Sequence, residues 1–294
     1  MKIATVVVTF NRLELLKECI CSLKEQTRKI DEIFVINNSS TDGTEEWLNK
    51  QKDITTITQP NSGGAGGFYT GIKTAYEIGY DWIWVMDDDG LPLKNTLEEL
   101  FKHANSFVGV LNSLVVSKSN ENELVFGIED LILKESYSSV LEVKDKEYIN
   151  GANFFNGTML HREVIKRIGL PQPMFFIYGD EYEYYLRIKS NEITIKTITT
   201  SIILHPEQKN KYIGKGKFLH RFNDFNNLRV RHFPPNIIVI CCLYEEFTLK
   251  RLIKIYLMDI YGLLFYDKKI KFAIKYLLYS STAYSLFKKL NINK

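Results

Sequence analysis

The amino-acid sequence predicts an α/β fold with a mostly parallel, doubly wound sheet and a helical extension at its C-terminal end. The first hundred residues alternate regularly between apolar runs rich in β-branched residues and segments whose apolar residues have helical spacing. This β-α-β-α order favours parallel strands that are joined by right-handed crossovers. From residue 236 onward the signals are helical. With 294 residues, 45% of them hydrophobic, the chain is long enough for one large domain and an appendage.

Strand and helix signals alternate through the first part of the chain. Residues 3–10 form a continuous β-branched run, as expected for a strand that is buried on both faces. Residues 13–26 follow with helical spacing. The next predicted elements are strands at 33–36, 54–58 and 82–86, a helix around 45–50, and a helix that follows a loop at 59–67 and runs to about residue 78.

Beyond residues 94–104 the pattern loosens, which predicts a mixed or antiparallel region. The predicted elements there are strands at 108–116, 123–126, 140–143 and 193–204, and helices at 161–168 and 180–190. Residues 221–232 are irregular and basic. We therefore predict one domain over residues 1–235 and a helical extension over residues 236–294.

The charge of the chain is distributed unevenly. A net charge of +3 is too small to indicate a nucleic-acid partner. Residues 248–294 nevertheless hold ten Lys and Arg against two Asp, so they carry +8 and leave −5 for residues 1–247. Such a basic, amphipathic helical tail favours an anionic surface such as a membrane. The alternatives are a solvated helical face, and packing of the apolar stripe against the rest of the chain or against a second subunit in a homo-oligomer.

The sequence lacks the features of an exported or membrane-spanning protein. Residues 1–10 lead directly into a strand and have neither the longer apolar stretch nor the cleavage site of a signal peptide. No apolar run approaches the roughly 20 residues that span a bilayer. The four cysteines have no C-x-x-C spacing, so neither a zinc site nor a disulfide framework is indicated. We expect a cytoplasmic protein, or one at the cytoplasmic face of the membrane.

An acidic cluster, Asp87-Asp88-Asp89, comes directly after the predicted strand at 82–86. Asp87 and Asp89 can point the same way, because side chains alternate along an extended strand. Parallel sheets bind ligands outside the carboxyl ends of their strands, which is where this cluster lies. Two carboxylates there can hold Mg²⁺ or Mn²⁺ together with a diphosphate. The alternative is an acidic turn that caps the next helix.

A glycine-rich loop, Gly63-Gly64-Ala65-Gly66-Gly67, precedes a predicted helix. Glycine lets a backbone approach a ligand closely, and a phosphate can bind at a helix N-terminus. The loop has neither the dinucleotide-binding spacing nor the ending of a P-loop. By itself it is equally consistent with a flexible turn.

Further candidates are His205 and the acids Asp180, Glu181 and Glu183. An isolated histidine such as His205, at the end of a strand, is more often structural than a metal ligand. The three acids lie at a predicted helix start, where the helix dipole favours negative charge, so capping is the default interpretation. A carboxylate there can alternatively serve as a general base that removes a proton from a sugar hydroxyl.

Taken together and in this order, these segments resemble the family-2 inverting glycosyltransferases, which have the GT-A fold. The resemblance spans about residues 2–206. It is carried by the segments Val8-Thr9-Phe10-Asn11-Arg12, Asn37-Asn38-Ser39-Ser40-Thr41-Asp42-Gly43-Thr44, Asp87-Asp88-Asp89, Gly179-Asp180-Glu181-Tyr182-Glu183 with Arg187, and His205. Within the family, residues 59–68 look most like the galactofuranosyltransferase branch, and rhamnosyltransferases are close relatives.

The resemblance implies a role for each matching position. It implies a nucleotide-sugar half over residues 1–105 and an acceptor half over 106–235. The residues implied in nucleotide-sugar binding are Thr9, Phe10, Arg12, Asn37, Asn38, Asn61, Gly64, Ala65, Gly66, Asp87 and Asp88. Asp87, Asp89 and His205 are implied as ligands of a divalent metal, Mn²⁺ or Mg²⁺. Glu181 falls on the position of the catalytic base, with the neighbouring Asp180 as the rival.

The implied activity is that of a metal-dependent hexosyltransferase that acts with inversion. The donor would be UDP-galactofuranose, and the acceptor a glycan or a lipid-linked oligosaccharide in cell-surface polysaccharide synthesis. A rhamnosyltransferase that uses dTDP-rhamnose is the alternative within the family. A non-catalytic nucleotide-sugar-binding subunit is the alternative of another class. A nucleotidyltransferase is disfavoured, because Asn11-Arg12-Leu13 stands where such enzymes carry a glycine-rich loop after the first strand.

Overall fold

The computed structural model describes residues 1–104, 108–207, 211–213, 220–222, 227–244, 249–266 and 269–292. Their contacts divide the chain into two compact units. The first unit comprises Met1–Pro173 and Tyr184–Glu207, and the second comprises Met174–Glu183 and the described part of Gln208–Lys294.

The first unit is built on one large sheet. Its strands are β1 (Ile3–Thr9), β2 (Glu32–Asn37), β3 (Thr55–Thr58), β4 (Trp82–Asp87), β5 (Leu91–Pro92), β6 (Val110–Ser117), β7 (Glu123–Glu129), β8 (Ser136–Ser139), β9 (Tyr148–Ile149), β10 (Thr158–His161) and β11 (Ile195–His205). The main path across the sheet is β3-β2-β1-β4-β10-β6-β11-β5. Strands β1 to β4 pair in parallel, and β10 is antiparallel to both β4 and β6. The parallel first part and the mixed second part agree with the sequence prediction.

Helices cover both faces of this sheet. They are α1 (Leu13–Lys24), α2 (Thr44–Leu48), α3 (Gly63–Ile78), α4 (Thr96–Lys102), α5 (Arg162–Ile168) and α6 (Asp180–Ser190), whose first residues belong to the second unit. Alternate residues of the buried strand β4 point to opposite faces of the sheet, since side chains alternate along a strand. Trp82, Trp84 and Met86 pack with α1 and α4, whereas Ile83 and Val85 pack with α3, α5 and α6. The predicted α/β class with a doubly wound sheet is confirmed.

Helix α3 begins five residues earlier than the sequence predicted. The predicted loop at 59–67 is wrong from Gly63 onward, because Gly63 to Gly67 form the first turn of the helix. The reason is close packing on strand β1. A Cβ atom added at Gly67 would lie 2.4 Å from Val8 Cγ1, and one added at Gly71 would lie 2.2 Å from Val6 Cγ1. These glycines let the helix backbone rest directly on the valines of the strand.

The strand predicted at 140–143 is also wrong. Val140–Glu142 form a single 3₁₀ turn, which is closed by a capping box between Ser139 and Glu142. The Glu142 carboxylate accepts hydrogen bonds from the backbone N–H groups of Ser138 and Ser139, at 2.7 and 2.8 Å. The turn competes with the strand because a serine and a glutamate three residues apart satisfy the helix start locally.

The second unit is mainly helical. Its described elements are the antiparallel strands β12 (Lys211–Ile213) and β13 (His220–Phe222), the helices α7 (Asn227–Leu243), α8 (Leu249–Tyr261), α9 (Ile270–Ser280) and α10 (Ala283–Ile292), and a π-helical turn at Gly262–Tyr266. Val230, Leu263, Ala273 and Tyr276 form its small buried core. The predicted helical extension is confirmed. None of the described helices is long and apolar enough to cross a membrane.

Helix α7 starts before the predicted helical segment. The prediction of an irregular segment at 221–232 is wrong for residues 221–222, which belong to β13, and for residues 227–232, which belong to α7. Residues 223–226 lie outside the described part of the chain. The helix contains Pro234 and Pro235 in its interior, although proline normally ends a helix because it lacks an N–H donor. The predicted domain boundary at residue 235 falls within this helix, and the division into domain and extension stays a prediction.

The close contact of α3 with β1 gives a prediction about stability. We expect Gly71→Ala to lower the free energy of unfolding by about 1–3 kcal/mol, because its methyl group overlaps a rigid, buried valine. Gly64→Ala is the matched control, since a Cβ atom there meets nothing within 4 Å. In chemical denaturation the control should be at least as stable as the unaltered protein. Equal losses for both variants would contradict the packing argument.

Candidate functional site

Hydrogen bonds from side chains join the loop after β1 to the loop after β2. Asn11 has a left-handed backbone, with φ 53°, and its N–H donates to Ser40 Oγ at 2.9 Å. Its own Oδ1 accepts from the N–H of Thr41 at 2.7 Å. Asp42 Oδ2 accepts from the N–H of Leu13 at 2.9 Å. This edge of the sheet is therefore a hydrogen-bonded surface that includes the first segments of the family resemblance.

Asn37 and Asn38 both lie within this edge and are buried. Asn37 Oδ1 accepts from the N–H of Ser40 at 3.0 Å. Asn38 Nδ2 donates to the Gly63 carbonyl at 3.1 Å, and its Oδ1 accepts from Gln59 Nε2 at 2.8 Å. In this structure the two amides shape the loops. Their contact with a nucleotide stays a prediction.

Helix α3 begins at the same edge of the sheet. Asn61 Oδ1 accepts from the N–H of Gly63 at 3.0 Å and so fixes the entry into the helix. Ala65 and Gly66 are buried, whereas the space where Gly64 would carry a side chain is open. The N–H groups of a first helical turn have no intrahelical acceptor, so this turn can bind an anion.

Two side chains at the end of β1 and just beyond it contact the acidic cluster. The buried Thr9 hydroxyl donates to Asp88 Oδ2 at 2.7 Å. Arg12 Nη1 lies 3.1 Å from Asp88 Oδ1 and 2.8 Å from Asp89 Oδ2. The Arg12 side chain is 49% exposed, so it can neutralise the acids and still meet a ligand. Phe10 between them is also exposed.

His205 lies beside the third acid of the cluster. Strand β5 follows Asp89 almost directly and pairs with the end of β11, with Leu91 opposite Leu204. This short pairing brings His205 Nε2 to 3.2 Å from Asp89 Oδ1. His205 Nδ1 lies 2.8 Å from the Pro206 carbonyl oxygen, to which it donates. The tautomer with a proton on Nδ1 leaves Nε2 directed at the carboxylate.

The electrostatics of the cluster differ from one acid to the next. Burial and the two neighbouring carboxylates raise the pKa of Asp87 to about 8. Burial likewise raises the pKa of Asp88 to about 6, although Arg12 and Thr9 oppose this. For Asp89 burial is outweighed by His205 and Arg12, which hold its pKa below the ordinary value. A cation placed near this cluster would relieve the repulsion between the acids.

The pair Asp89 and His205 fits a divalent metal. Asp89 Oδ1 is buried, accepts no well-directed hydrogen bond and lies next to His205 Nε2. Their 3.2 Å separation is close to the roughly 3 Å between neighbouring ligands of an octahedral ion with bonds of about 2.1 Å. Across the described residues, no three or more His, Cys, Asp or Glu side chains form a preassembled metal site. A bound metal would therefore need ligands beyond this pair.

The second unit carries the three acids at the start of α6. Asp180 and Glu183 are buried, and Glu181 is partly exposed. Glu183 Oε1 accepts from the Tyr244 hydroxyl at 2.7 Å, which gives this acid a structural partner. Glu181 Oε2 accepts from the N–H of Gly179 at 3.2 Å. A base has to reach its substrate, so exposure favours Glu181 over Asp180.

Arg187, which belongs to the resembling motif, has a structural role in the first unit. Its Nη1 donates to the carbonyl oxygens of Ile168 and Leu170, both at 3.0 Å. The guanidinium also lies 5.0 Å from the centre of the Tyr184 ring. These contacts fix the chain after α5.

Sequence reasoning missed Asn236 and Tyr244, which both lie on or next to α7. Asn236 is buried, and its Nδ2 contacts three backbone carbonyls of the segment before the acids. The available signal was a single amide within the apolar run that follows Pro234 and Pro235. Such a residue is buried only with partners, but the sequence does not indicate which partners.

The fold and the acidic cluster at the carboxyl ends of the parallel strands are those of a GT-A-type glycosyltransferase. The chain belongs to glycosyl transferase family 2, whose family model matches residues 5–169. It is 31% identical over 215 residues to galactofuranosyltransferase GlfT1 of Mycolicibacterium smegmatis, covering 69% of this chain and 70% of that protein. It is 30% identical over 209 residues to GlfT1 of Mycobacterium tuberculosis, covering 68% and 69%. The predicted family and branch are confirmed.

Solved structures with the same fold are more distant in sequence. GalNAc-T7, solved with UDP, GalNAc and Mn²⁺, matches with a TM-score of 0.58 at 12% identity, over 83% of this chain and 48% of that one. TarS 1-349 of S. aureus matches with a TM-score of 0.52 at 17% identity, over 71% and 61%. This chain thus spans about half of the first structure and under two thirds of the second. These matches support the GT-A-like fold.

The contact between Thr9 and Asp88 gives a prediction about stability. Thr9→Val keeps the shape of the side chain but removes the donor, which leaves an oxygen of a buried carboxylate without that partner. We expect the free energy of unfolding to fall by about 1–3 kcal/mol. Thr5→Val on the same strand is the control, since the equally buried Thr5 hydroxyl has no hydrogen-bond partner in the described structure. Equal losses in chemical denaturation would contradict this assignment.

Proposed function

We propose that the chain transfers galactofuranose from UDP-galactofuranose to a glycan acceptor with inversion at the anomeric carbon. The observation that carries the proposal is the arrangement of Arg12, His205 and three acids at the end of β4. It places positive and negative groups together where a parallel sheet binds its ligand. The choice of donor is supported by the GlfT1 relatives, whose names state galactofuranosyl transfer.

The residues at the sheet edge would bind the donor. Arg12 offers a partly exposed guanidinium, which suits a diphosphate because its fork of N–H groups matches phosphate oxygens. The first turn of α3, with Gly64 at its open position, offers backbone N–H groups to an anion. Thr9 would act through Asp88, which it holds in place. Asn37, Asn38 and their loop would enclose the nucleotide.

Asp89 and His205 would hold a divalent cation, Mn²⁺ or Mg²⁺, with Asp87 as a further ligand. Carboxylate oxygens and an imidazole nitrogen form a donor set that suits Mn²⁺. When bound, such an ion supplies positive charge that stabilises the diphosphate as a leaving group. GalNAc-T7, which shares the fold, was solved with UDP and Mn²⁺, and this supports the assignment.

Glu181 would act as the general base, with Asp180 as the alternative. Its carboxylate accepts the proton of the acceptor hydroxyl, and the acceptor oxygen then forms the new bond to the anomeric carbon. The bond between that carbon and the diphosphate oxygen breaks, and its electron pair leaves with UDP. Attack from the face opposite the leaving group inverts the anomeric configuration, as in single-displacement sugar chemistry generally.

A lipid-linked acceptor would be reached at a membrane surface. In α8 and the turn that follows it, Ile253, Leu257, Tyr261 and Phe265 recur every four residues and are 50–66% exposed. In α9, an equally exposed set comprises Ile270, Ile274, Leu277 and Leu278. Lys250, Lys254, Lys271 and Lys275 are exposed on the same two helices. Apolar stripes flanked by lysines match the interface of an anionic bilayer.

The donor, the metal and the base can be tested together. We expect UDP to bind more tightly with Mn²⁺ in calorimetry, and Asp89→Asn to remove this metal-dependent gain. Glu181→Gln should keep UDP binding and lower the release of UDP from UDP-galactofuranose at least about 10²-fold, because the neutral amide cannot accept the proton. Asp180→Asn is the comparison, and a larger loss there would move the base to Asp180.

Other outcomes would change or remove this assignment. Preference for dTDP with turnover of dTDP-rhamnose would place the enzyme among rhamnosyltransferases. Binding of nucleotide without turnover on any acceptor would favour a non-catalytic subunit. If no nucleotide binds under any metal condition, the proposed function is wrong.

The membrane contact has a separate test. The full chain should float with vesicles that contain anionic phosphatidylglycerol, and Ile253→Asn with Leu257→Asn should reduce the floated fraction because the apolar stripe is lost. Ile132→Asn with Leu133→Asn is the control, because those apolar residues are as exposed but lie in the first unit. Equal flotation of both double variants would overturn the assignment. It would also be overturned if the full chain forms a dimer that the Ile253→Asn and Leu257→Asn changes dissociate, and does not bind vesicles.

A further inference from the structure

Helix α7 presents one face to the segment that carries the acids of the second unit. The residues of this face recur at intervals of three or four, as positions on one side of a helix do. They are Arg229, His232, Asn236, Ile240 and, just beyond the helix end, Tyr244. Each one contacts the segment from Phe175 to Glu183.

The aromatic and apolar contacts hold the two ends of this segment. The His232 ring stacks on Phe176 with centres 4.6 Å apart, at an angle of 16°. The Arg229 guanidinium lies 5.2 Å from the centre of the Tyr178 ring. At the other end of α7, a Cβ atom added to Gly179 would come within 3.1 Å of Ile240 Cδ1.

Asn236 supplies the central polar contact of this face. Its Nδ2 donates to the carbonyl oxygens of Phe175 at 2.8 Å, Ile177 at 3.1 Å and Tyr178 at 2.9 Å. An amide nitrogen has two hydrogens, so three acceptors require that one hydrogen is shared. The side chain is only 2% exposed, so these carbonyls replace water as its partners.

The segment from Phe175 to Glu183 depends on these hydrogen bonds because its backbone is strained. Phe176 and Tyr178 have φ values of 61° and 67°, and Gly179 has 103°. A left-handed backbone is unfavourable for bulky aromatic residues and persists only where the surroundings enforce it. The three carbonyls that Asn236 holds belong to this stretch. Without them the segment would relax to an ordinary backbone conformation.

The position of Glu181 depends on this backbone. Its Oε2 accepts from the N–H of Gly179 at 3.2 Å, and Gly179 follows Tyr178 directly. We propose that Asn236 is a positioning residue for Glu181, which it places by fixing the carbonyls of Phe175, Ile177 and Tyr178. The inference rests on the proposed function in so far as Glu181 is the base.

The test replaces Asn236 by the isosteric aspartate, which has no N–H donors and repels three carbonyl oxygens. We expect Asn236→Asp in the full chain to lower kcat about 10²-fold, as a misplaced base does, with the KM for the donor and the affinity for UDP unchanged. Cys242→Ser, at an exposed position of the same helix, is the control and should keep full activity. Should Asn236→Asp fail to fold, Asn236→Gln retains the donors and should lose less activity.

A double-mutant cycle separates positioning from general damage. If Asn236 acts through Glu181, the double variant Asn236→Asp with Glu181→Gln is no slower than Glu181→Gln alone. An additive loss, an unchanged kcat or a matching loss of UDP affinity would overturn the positioning role.

A readout that needs no turnover keeps this inference distinguishable from the proposed function. The carboxyl ¹³C resonance of Glu181 can be assigned by its loss in Glu181→Gln. We expect Asn236→Asp to shift this resonance and Cys242→Ser to leave it in place. An unmoved resonance overturns the positioning role whatever the donor is, whereas a shifted resonance in a protein that turns over no sugar nucleotide overturns only the proposed function.

Discussion

Three successive carboxylates at the end of a buried strand repel one another, and the rest of the first unit is arranged around that repulsion. Thr9 and Arg12 come from the end of β1 to meet Asp88 and Asp89. His205 comes from the end of β11 on the opposite side of β4. These partners lie at the carboxyl ends of two strands, β1 and β11, on either side of β4. The cluster is therefore stable only when β1, β4 and β11 are in their final register.

This constraint explains why the acids are suited to binding rather than to capping. A capping carboxylate accepts hydrogen bonds from nearby backbone N–H groups, as the carboxylates of Asp42 and Asp130 do in turns of this chain. Within the part of the chain that the structure describes, no backbone N–H donates to the side chains of Asp88 and Asp89, which point at cationic and hydroxyl groups. Asp89 keeps an orphaned buried oxygen in addition. An unpartnered buried oxygen among acids is unfavourable, so a cation beside Asp89 would stabilise this cluster.

Much of the first unit follows from sequence because its signals are local. The apolar runs of β1 and β4 and the position of the acids after β4 need no knowledge of distant contacts. The contact of Asp89 with His205 is different, because it depends on the two-residue strand β5, which is too short to have a pattern. The family resemblance predicts that Asp89 and His205 share a metal, whereas residue spacing alone favours a structural role for His205.

The errors have physical causes of the same kind. The glycines at 63–67 favour a loop because glycine disfavours helices, yet here the absence of side chains is what allows the contact with β1. The predicted boundary at residue 235 falls directly after two prolines, although helix α7 continues through them. Asn236 could not be assigned a role, because its partners are carbonyls about 60 residues away that have no side-chain signature.

The direct contact of α3 with β1 also restricts how this protein can vary and move. Because Gly67 and Gly71 rest on Val8 and Val6 with no side chain between them, a larger residue in the helix requires a smaller one in the strand. The two positions of each pair should therefore change together in evolution, as a knob and its hole do. The same contact couples the first turn of α3 mechanically to Thr9 at the end of β1. We therefore expect the start of α3 and the end of β1 to move together as one body.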